Sequence, residues 1–316
     1  MDTEIPHTRQ TFYDEISPLN LTPLWEVLHA LVPPQPQSPC VPALWKYELL
    51  EQYLLGSGQL ISAEEAVRRV LILENPALRG HSCITQSLYA GLQLILPGEV
   101  APSHRHTQGA LRFIVAGSGA YTAVDGERTT MQPGDFIITP SMAWHDHGHE
   151  GDAPMVWLDG LDIPMLRFFD AGFAENDSRP SQAISRAEGS SFARYGHNMV
   201  PLREPSPYGV TSPIFNYPFQ NVLEALSKMQ RFEPVDAWDG FKLRYTNPLT
   251  GGWPMPTMGT SPAGQTEFHF ESRDHFVVPS WHTLRLASKE GCMLFSYSDR
   301  PVHLALGIHR EERLTS

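Results

Sequence analysis

The 316-residue chain has three cysteines, Cys40, Cys83 and Cys292, and none pairs as CxxC. So few and so scattered, they give neither a disulfide framework nor a thiolate zinc site, and they read as buried apolar thiols. Cationic residues are short as well: 23 Lys and Arg face 35 Asp and Glu, a net charge of -12, with no basic stripe. That balance speaks against a nucleic-acid partner. No stretch approaches the roughly 18 consecutive apolar residues of a membrane span. The opening MDTEIPHTRQ lacks the basic start and apolar run of a signal peptide, so the expectation is a cytoplasmic protein with no membrane partner. Long, uniform helical patterns are few.

In their place are 28 prolines and 24 glycines, with 41% apolar and 10% aromatic residues. Such a chain is globular, long enough for about two domains, and built mostly from short strands joined by turns. Residues 1–80 read as a helical preamble. Leu24, Trp25, Leu28, Leu31 and Val32 form an amphipathic helix stopped by Pro33-Pro34. A second apolar stretch, from Trp45 to Leu55, ends at Gly56-Ser57-Gly58. Ser62-Ala63-Glu64-Glu65 is a capping box, and AVRRVLILENP behind it reads as a helix closing before Pro76. Arg68 and Arg69 lie there, one suited to a solvated face and the other to an anionic ligand.

Strands are expected from residue 81, with Tyr89, Gly91, Gln93 and Ile95 on one face, and this β domain runs to 172. Residues 173–213 are polar and without period. They read as a linker or surface excursion, followed by a helix near Asn221–Gln230, so that 173–230 separates the halves. Residues 231–316 hold a second β region. Asp135-Phe-Ile-Ile-Thr-Pro140 is echoed there by Asp274-His-Phe-Val-Val-Pro279. The copy is reduced: Leu284 stands where His145 would, and Gly259 to Gly264 is too short for a leading hairpin.

Five of the fourteen histidines, His104, His106, His145, His147 and His149, crowd into Pro97–Asp162. On a strand His104 and His106 share a face, as do His145 and His147. Asp125-Gly126 and Pro133-Gly134-Asp135 are turn signals that fold the second pair onto the first. Converging imidazoles make a metal site, with packed histidines as the alternative. Arg112, in the parity of His104 and His106, is a candidate anion clamp. His147 fits a proton shuttle or substrate hydrogen bond. Asp159, a carboxylate within an apolar strand, is either partnered or functional and would orient His147 or a substrate hydroxyl. Gln93 can act alike, and His149 reads as a loop residue.

A cupin metal site is written G-x5-H-x-H-x3/4-E-x6-G and then G-x5-P-x-G-x2-H. Here Gly98 precedes His104-Arg105-His106 and Gly117 follows, then Gly134, Pro140 and His145, with Met142 where Gly is usual. The glutamate position falls on Ala110 or Leu111, leaving three neutral imidazoles, open coordination positions and an uncancelled +2 charge. Such a centre suits an anionic chelating substrate plus dioxygen or water, and spacing alone leaves iron and zinc both open.

Together with PGEVAPSHRHTQGALRFIV, DFIITPSMAWHDHGH, RRVLILENP, YTNPLTGGWPMPTM and SDRPVHLALGI, these residues resemble the gentisate 1,2-dioxygenase family of ring-cleaving bicupins. Salicylate and 1-hydroxy-2-naphthoate dioxygenases are its relatives. The resemblance implies a mostly β fold of two double-stranded β-helix barrels, here with a reduced second one, and commonly a homotetramer. It implies Fe(II) on His104, His106 and His145, with Arg112, Gln93, His147, Asp159 and an arginine of the preamble helix, Arg68, around a small aromatic hydroxy acid. Catalytic duty would fall to His147, Asp159 and Arg112. Competing readings are salicylate or hydroxynaphthoate cleavage, a non-catalytic aromatic-acid-binding cupin, and a zinc or nickel cupin isomerase or hydrolase.

Overall fold

In the computed structural model, residues 8–202, 206–259, 269–289 and 291–312 are described. Met1–Ser38 forms a unit of its own. Within it, α1 (Arg9–Ile16) starts at Thr8, whose side chain accepts from the Thr11 N–H, and α2 (Leu24–Leu31) follows Pro23. Trp25 Nε1 donates to the Tyr13 hydroxyl at 2.8 Å, and neither helix buries a residue.

From Pro39 the chain forms a second unit. Its elements begin with β1 (Ala43–Trp45), α3 (Tyr47–Leu60), α4 (Ala63–Ala66), β2 (Val70–Ile72) and β3 (Tyr89–Ile95). Next come β4 (Val100–His106), β5 (Ala110–Ala116), β6 (Ala120–Val124), β7 (Glu127–Thr130), β8 (Phe136–Thr139), β9 (His145–His149) and β10 (Met155–Leu161). Then follow α5 (Ile163–Phe168), β11 (Ala174–Asn176), α6 (Ser190–Tyr195), β12 (Asn216–Tyr217), α7 (Phe219–Phe232), β13 (His275–Val277) and α8 (Arg300–Ala305). The architecture is mostly β with N-terminal helices, as the sequence implies.

Two antiparallel sheets, β12-β8-β5-β10-β3-β2 and β11-β4-β9-β6-β7, hold most of the strands. Period-two alternation divides the first between two cores. Leu92, Leu94, Leu111, Val115, Phe136, Ile138, Val156 and Leu158 pack with Tyr47, Leu54, Met255 and Met258. On that face Phe113 stacks on Phe295 at 4.2 Å. The opposite parity, Ile95, Ile114, Ile137, Met155 and Trp157, meets Ala120 and Met131 at the other sheet. Each such side chain, fully buried, contributes about 1.5–3 kcal/mol. The expected hairpin is present: Asp125 and Gly126, at φ 44° and 78°, turn β6 into β7.

Three expectations need correction. The apolar run after the capping box is a strand, not a helix. Ser62 does cap Glu65 N–H, but α4 ends at Ala66, and Val70–Ile72 pairs with Ile72 opposite Gly91 and Val70 opposite Gln93. An open edge on β3 outweighs the local helical spacing of β-branched residues that a strand accepts equally well. The preamble 1–80 is therefore not all helix. Second, α3 continues through Gly56-Ser57-Gly58 to Leu60, since Gly58 lets the helix approach the sheet: a Cβ there would lie 2.9 Å from Leu96 Cδ1.

Third, 173–213 is no free linker. β11 pairs along β4, with Glu175 opposite Arg105, and Glu127 accepts from Ser190 Oγ and from Ser191 N–H and Oγ. Polar residues hold this stretch by hydrogen bonds, which leave no apolar period to read. Among the described residues of 231–316 the one named strand is β13, paired with β1, in line with a reduced second copy. Residues 260–264 of the short Gly259–Gly264 run lie outside the described residues.

Candidate active site

Strand β4 runs opposite β9, with Ala101 across from His147 and then His104 across from His145. Between those pairs β4 spends one residue more than β9, a bulge at Pro102-Ser103. In a regular ladder counted on from Ala101, Ser103 would oppose His145; the bulge sets His104 there instead, so that His104 and His106 turn to the face that holds His145 and His147. The rings of His104 and His145 lie 4.5 Å apart, those of His106 and His145 4.8 Å, and those of His104 and His106 5.3 Å. One ligating nitrogen from each falls within 4.8 Å of the others.

The tautomers suit a cation. His106 Nδ1 is 2.9 Å from the Gln108 carbonyl and His145 Nδ1 is 3.0 Å from that of Ala143. A carbonyl only accepts, so both Nδ1 atoms carry protons and both Nε2 atoms present lone pairs. The buried Nε2 of His145 and Nδ1 of His104 have no hydrogen-bond partner. Burial first, then neighbouring cations and imidazoles, holds His104 near pKa 2, while burial takes His106 to about 4 and His145 well below its ordinary value. All three are neutral at neutral pH, the form that binds metal. The donor set therefore fits a divalent ion with positions left for other ligands.

The opposing wall comes from the other sheet. Arg112 does face the site, though from β5 rather than from the strand of His104 and His106. It lies opposite Asp159 of β10, donates to Thr139 Oγ1 at 2.6 Å, and holds Nε 3.5 Å from Asp159 Oδ1. Burial lifts the Asp159 carboxyl to about 6 although Arg112 and Arg68 draw it down. Trp157 Nε1 donates to Asp159 Oδ1 at 3.1 Å, and Gln93 sits beside Trp157 on β3, buried. Asp159 thus positions Arg112 and Trp157. His147 is oriented instead by Thr122, whose Oγ1 lies 2.9 Å from its Nδ1.

The choice between the two arginines is geometric. Arg69 pairs with Glu99 and donates to the Ile61 carbonyl. Arg68 turns the other way, donates to the Pro102 carbonyl at 3.1 Å, and brings Nη2 within 3.5 Å of His104 Nε2. It stands between α4 and β2 rather than on a helix. Burial, then the charge of Arg112, lowers its pKa to about 9, which leaves it charged at neutral pH. His149 belongs to β9, not a loop; it is buried, with Nε2 2.6 Å from the Ala153 carbonyl, and is structural. Sequence reasoning passed over Thr122, Thr139 and Trp157; for Trp157 the shared parity with Asp159, two residues on, was the available signal, and for the two threonines there was none.

Comparison with known proteins follows this geometry. A cupin domain matches residues 91–161. Gentisate 1,2 dioxygenase 1 of Aquipseudomonas alcaligenes is 48% identical over 335 aligned positions, covering 96% of each chain. A gentisate 1,2-dioxygenase of a Streptomyces species is 34% identical over 99% of this chain and 98% of its own. The crystal structure of a salicylate 1,2-dioxygenase from Pseudaminobacter salicylatoxidans superposes with TM-score 0.83 at 31% identity, covering 98% of both chains. The same enzyme solved with gentisate gives TM-score 0.81 at 30% identity, with 98% of this chain and 95% of that one covered.

Proposed function

The chain belongs to the gentisate 1,2-dioxygenase family, and from that we propose that it opens the ring of gentisate (2,5-dihydroxybenzoate) with dioxygen to give maleylpyruvate. The observation that carries this reading is the cluster of three neutral imidazoles with the guanidinium of Arg68 beside His104 and that of buried Arg112 on the facing wall. His104, His106 and His145 would hold Fe(II). When bound, that ion supplies open coordination positions for both reactants and a path for electrons between them.

The remaining work falls to side chains. Buried Arg112 and half-buried Arg68, both charged, neutralise the substrate carboxylate where little water screens the ion pair. Asp159 and Thr139 hold the Arg112 fork in one orientation. Thr122 donates its own proton to Met131 Sδ at 3.3 Å, so its oxygen accepts from His147 Nδ1 and leaves the His147 Nε2 lone pair bare. Burial, then Arg112, keeps this imidazole neutral. It accepts the proton of a ring hydroxyl, and Asp159 shares that duty as a carboxyl poised near 6. Gln93 lines the wall beside Trp157. Substrate plus dioxygen balance as product, so no external reductant enters. The reading extends to a cytoplasmic homotetramer, which sedimentation equilibrium checks.

The test is anaerobic loading with Fe(II), then gentisate and air, recording oxygen uptake and the near-ultraviolet band of a ring-opened keto acid. One dioxygen per gentisate, lost in His104→Ala, is the expected result. Uptake with salicylate but not gentisate would transfer the assignment to the activity of the superposed crystal structure, and uptake with 1-hydroxy-2-naphthoate alone to that of a 33% identical relative. No uptake with any hydroxybenzoate at full iron loading would leave an aromatic-acid-binding protein.

A further inference from the structure

Resting on the metal-site reading above, we propose that Asp162 and Thr257 are positioning residues for His106: through the turn at Thr107–Gly109 they aim its imidazole at the metal. The chain of contacts is continuous. Thr257 Oγ1 donates to Asp162 Oδ2 at 2.6 Å, and Asp162 Oδ1 accepts the Gly109 N–H at 3.1 Å. The residue before Gly109, Gln108, offers the carbonyl that accepts the His106 Nδ1 proton at 2.9 Å. That bond sets both the tautomer and the rotation of the ring.

Two further observations single Asp162 out. It occupies the N-cap position of α5, where an aspartate ordinarily accepts from its own helix, yet its side chain makes no such bond. Its two oxygens instead reach away from the helix, to the turn and to Thr257, and the residue is 2% exposed. The segment that brings Thr257 also brings Met255, buried, whose Cε lies 3.0 Å from where a Cβ on Gly109 would stand. The C-terminal half thus presses on the turn and bonds to its anchor at one place. The other side of the turn is held from before β9, by Ser141 Oγ donating to the Thr107 carbonyl and Met142 N–H to that of His106.

Only one ligand is tuned in this way. The orienting carbonyl of His145 is that of Ala143, two residues before it, while Thr257 bonds to Asp162 under the turn of His106. Loosening Thr257 should therefore disturb one ligand of three, the signature that separates positioning from general destabilisation.

The experiment compares Thr257→Val, Thr257→Ser, Asp162→Asn and the parent as full-length, metal-stripped proteins. Co(II) is titrated anaerobically, its visible absorption recorded, and the melting temperature of each apoprotein measured. Thr257→Val is expected to bind Co(II) about tenfold to a hundredfold more weakly, the range for a lost partner of a ligating histidine. The apoprotein should melt lower because the buried Asp162 Oδ2 loses its donor, but the Co(II) spectrum of the folded protein, which a merely structural loss would leave parent-like, should shift. Thr257→Ser, which keeps the hydroxyl, restores both, and Asp162→Asn, which keeps an acceptor for Gly109, falls between. Parent-like affinity and spectrum in Thr257→Val overturn the proposal, as does equal impairment in Thr257→Ser. A parent that binds no Co(II) or Fe(II) would instead remove the metal reading itself, and this inference with it.

Discussion

Asp135 and Asp274 make the same pair of bonds in the two halves of the chain. Asp135 Oδ2 accepts from Gln132 N–H, three residues back, and Oδ1 from Phe219 N–H, the first residue of α7. Asp274 Oδ2 accepts from Glu271 N–H, again three back, and Oδ1 from Tyr47 N–H, the first residue of α3. Each aspartate closes the turn before a strand and caps a 14-residue helix from elsewhere in the sequence. The echo between DFIIT and DHFVV therefore survives as a structural device in a half whose described residues hold no three-ligand cluster.

Removing that device in the second half should destabilise the fold. Asp274→Ala leaves the Tyr47 and Glu271 amides unpaired and Lys46 without its ion pair, a loss of about 1–3 kcal/mol in urea unfolding. Burial raises the Asp274 carboxyl, but Lys46 and the two amides outweigh it and hold it below its ordinary value. The stability it contributes is thus present above its unfolded pKa and lost as pH falls through the folded one. Unfolding curves of parent and variant should converge in acid; a constant gap would refute this.

Asp159 has the opposite sign. Burial raises its carboxyl to about 6, so the folded metal-free protein holds a proton there that the unfolded chain releases near 4. Stability falls as pH rises between those values, by about 3 kcal/mol from this one group. Asp159→Asn should flatten that part of the pH profile measured by calorimetry on the stripped protein. An unchanged slope would remove Asp159 as its source.

Gly117 tests the backbone. It stands at φ 88°, and a Cβ there would lie 2.3 Å from the Pro154 carbonyl oxygen and 2.7 Å from Met155 Cα, both backbone atoms. Gly80 has a similar φ of 86° with nothing within 4 Å. Gly80→Ala should therefore lose only the left-handed penalty, about 1–2 kcal/mol. Gly117→Ala must also part β10 from the end of β5 and should fail to accumulate as folded protein. Equal melting temperatures would show that the sheet yields there.

Metal loading should appear as stability. Fe(II) added anaerobically at about a hundred times its dissociation constant stabilises by about 3 kcal/mol if only the folded state binds it. Calorimetry should show that gain in the parent and none in His104→Ala, His106→Ala or His145→Ala. A full shift in any of the three would exclude that residue as a ligand.

The sequence made the site legible where chemistry follows local spacing. The parity of His104 with His106 and of His145 with His147, and the turn at Asp125-Gly126, are properties of a few adjacent residues, and the structure keeps them. Arg112 was reached for the wrong reason: its parity was matched to His104, but it faces the site from the other sheet. Val70–Ile72 was misread because its fate lies in β3, not in its own period. Thr122, Thr139 and Thr257 were invisible for the same reason. A threonine acquires a function only from what the fold sets opposite it, and those partners are distant in sequence.

The bulge at Pro102-Ser103 makes the centre a matter of phase. A strand counts in twos, so one extra residue inverts which side chains look inward from that point on. Surface turns of this chain can drift in length without reaching the histidines. Gain of one residue between Ala101 and His104 would leave every ligand in the sequence, yet set a non-histidine opposite His145 and turn His104 and His106 away. In lineages of this fold, the length of that segment should be more tightly held than the identity of the residues that fill it.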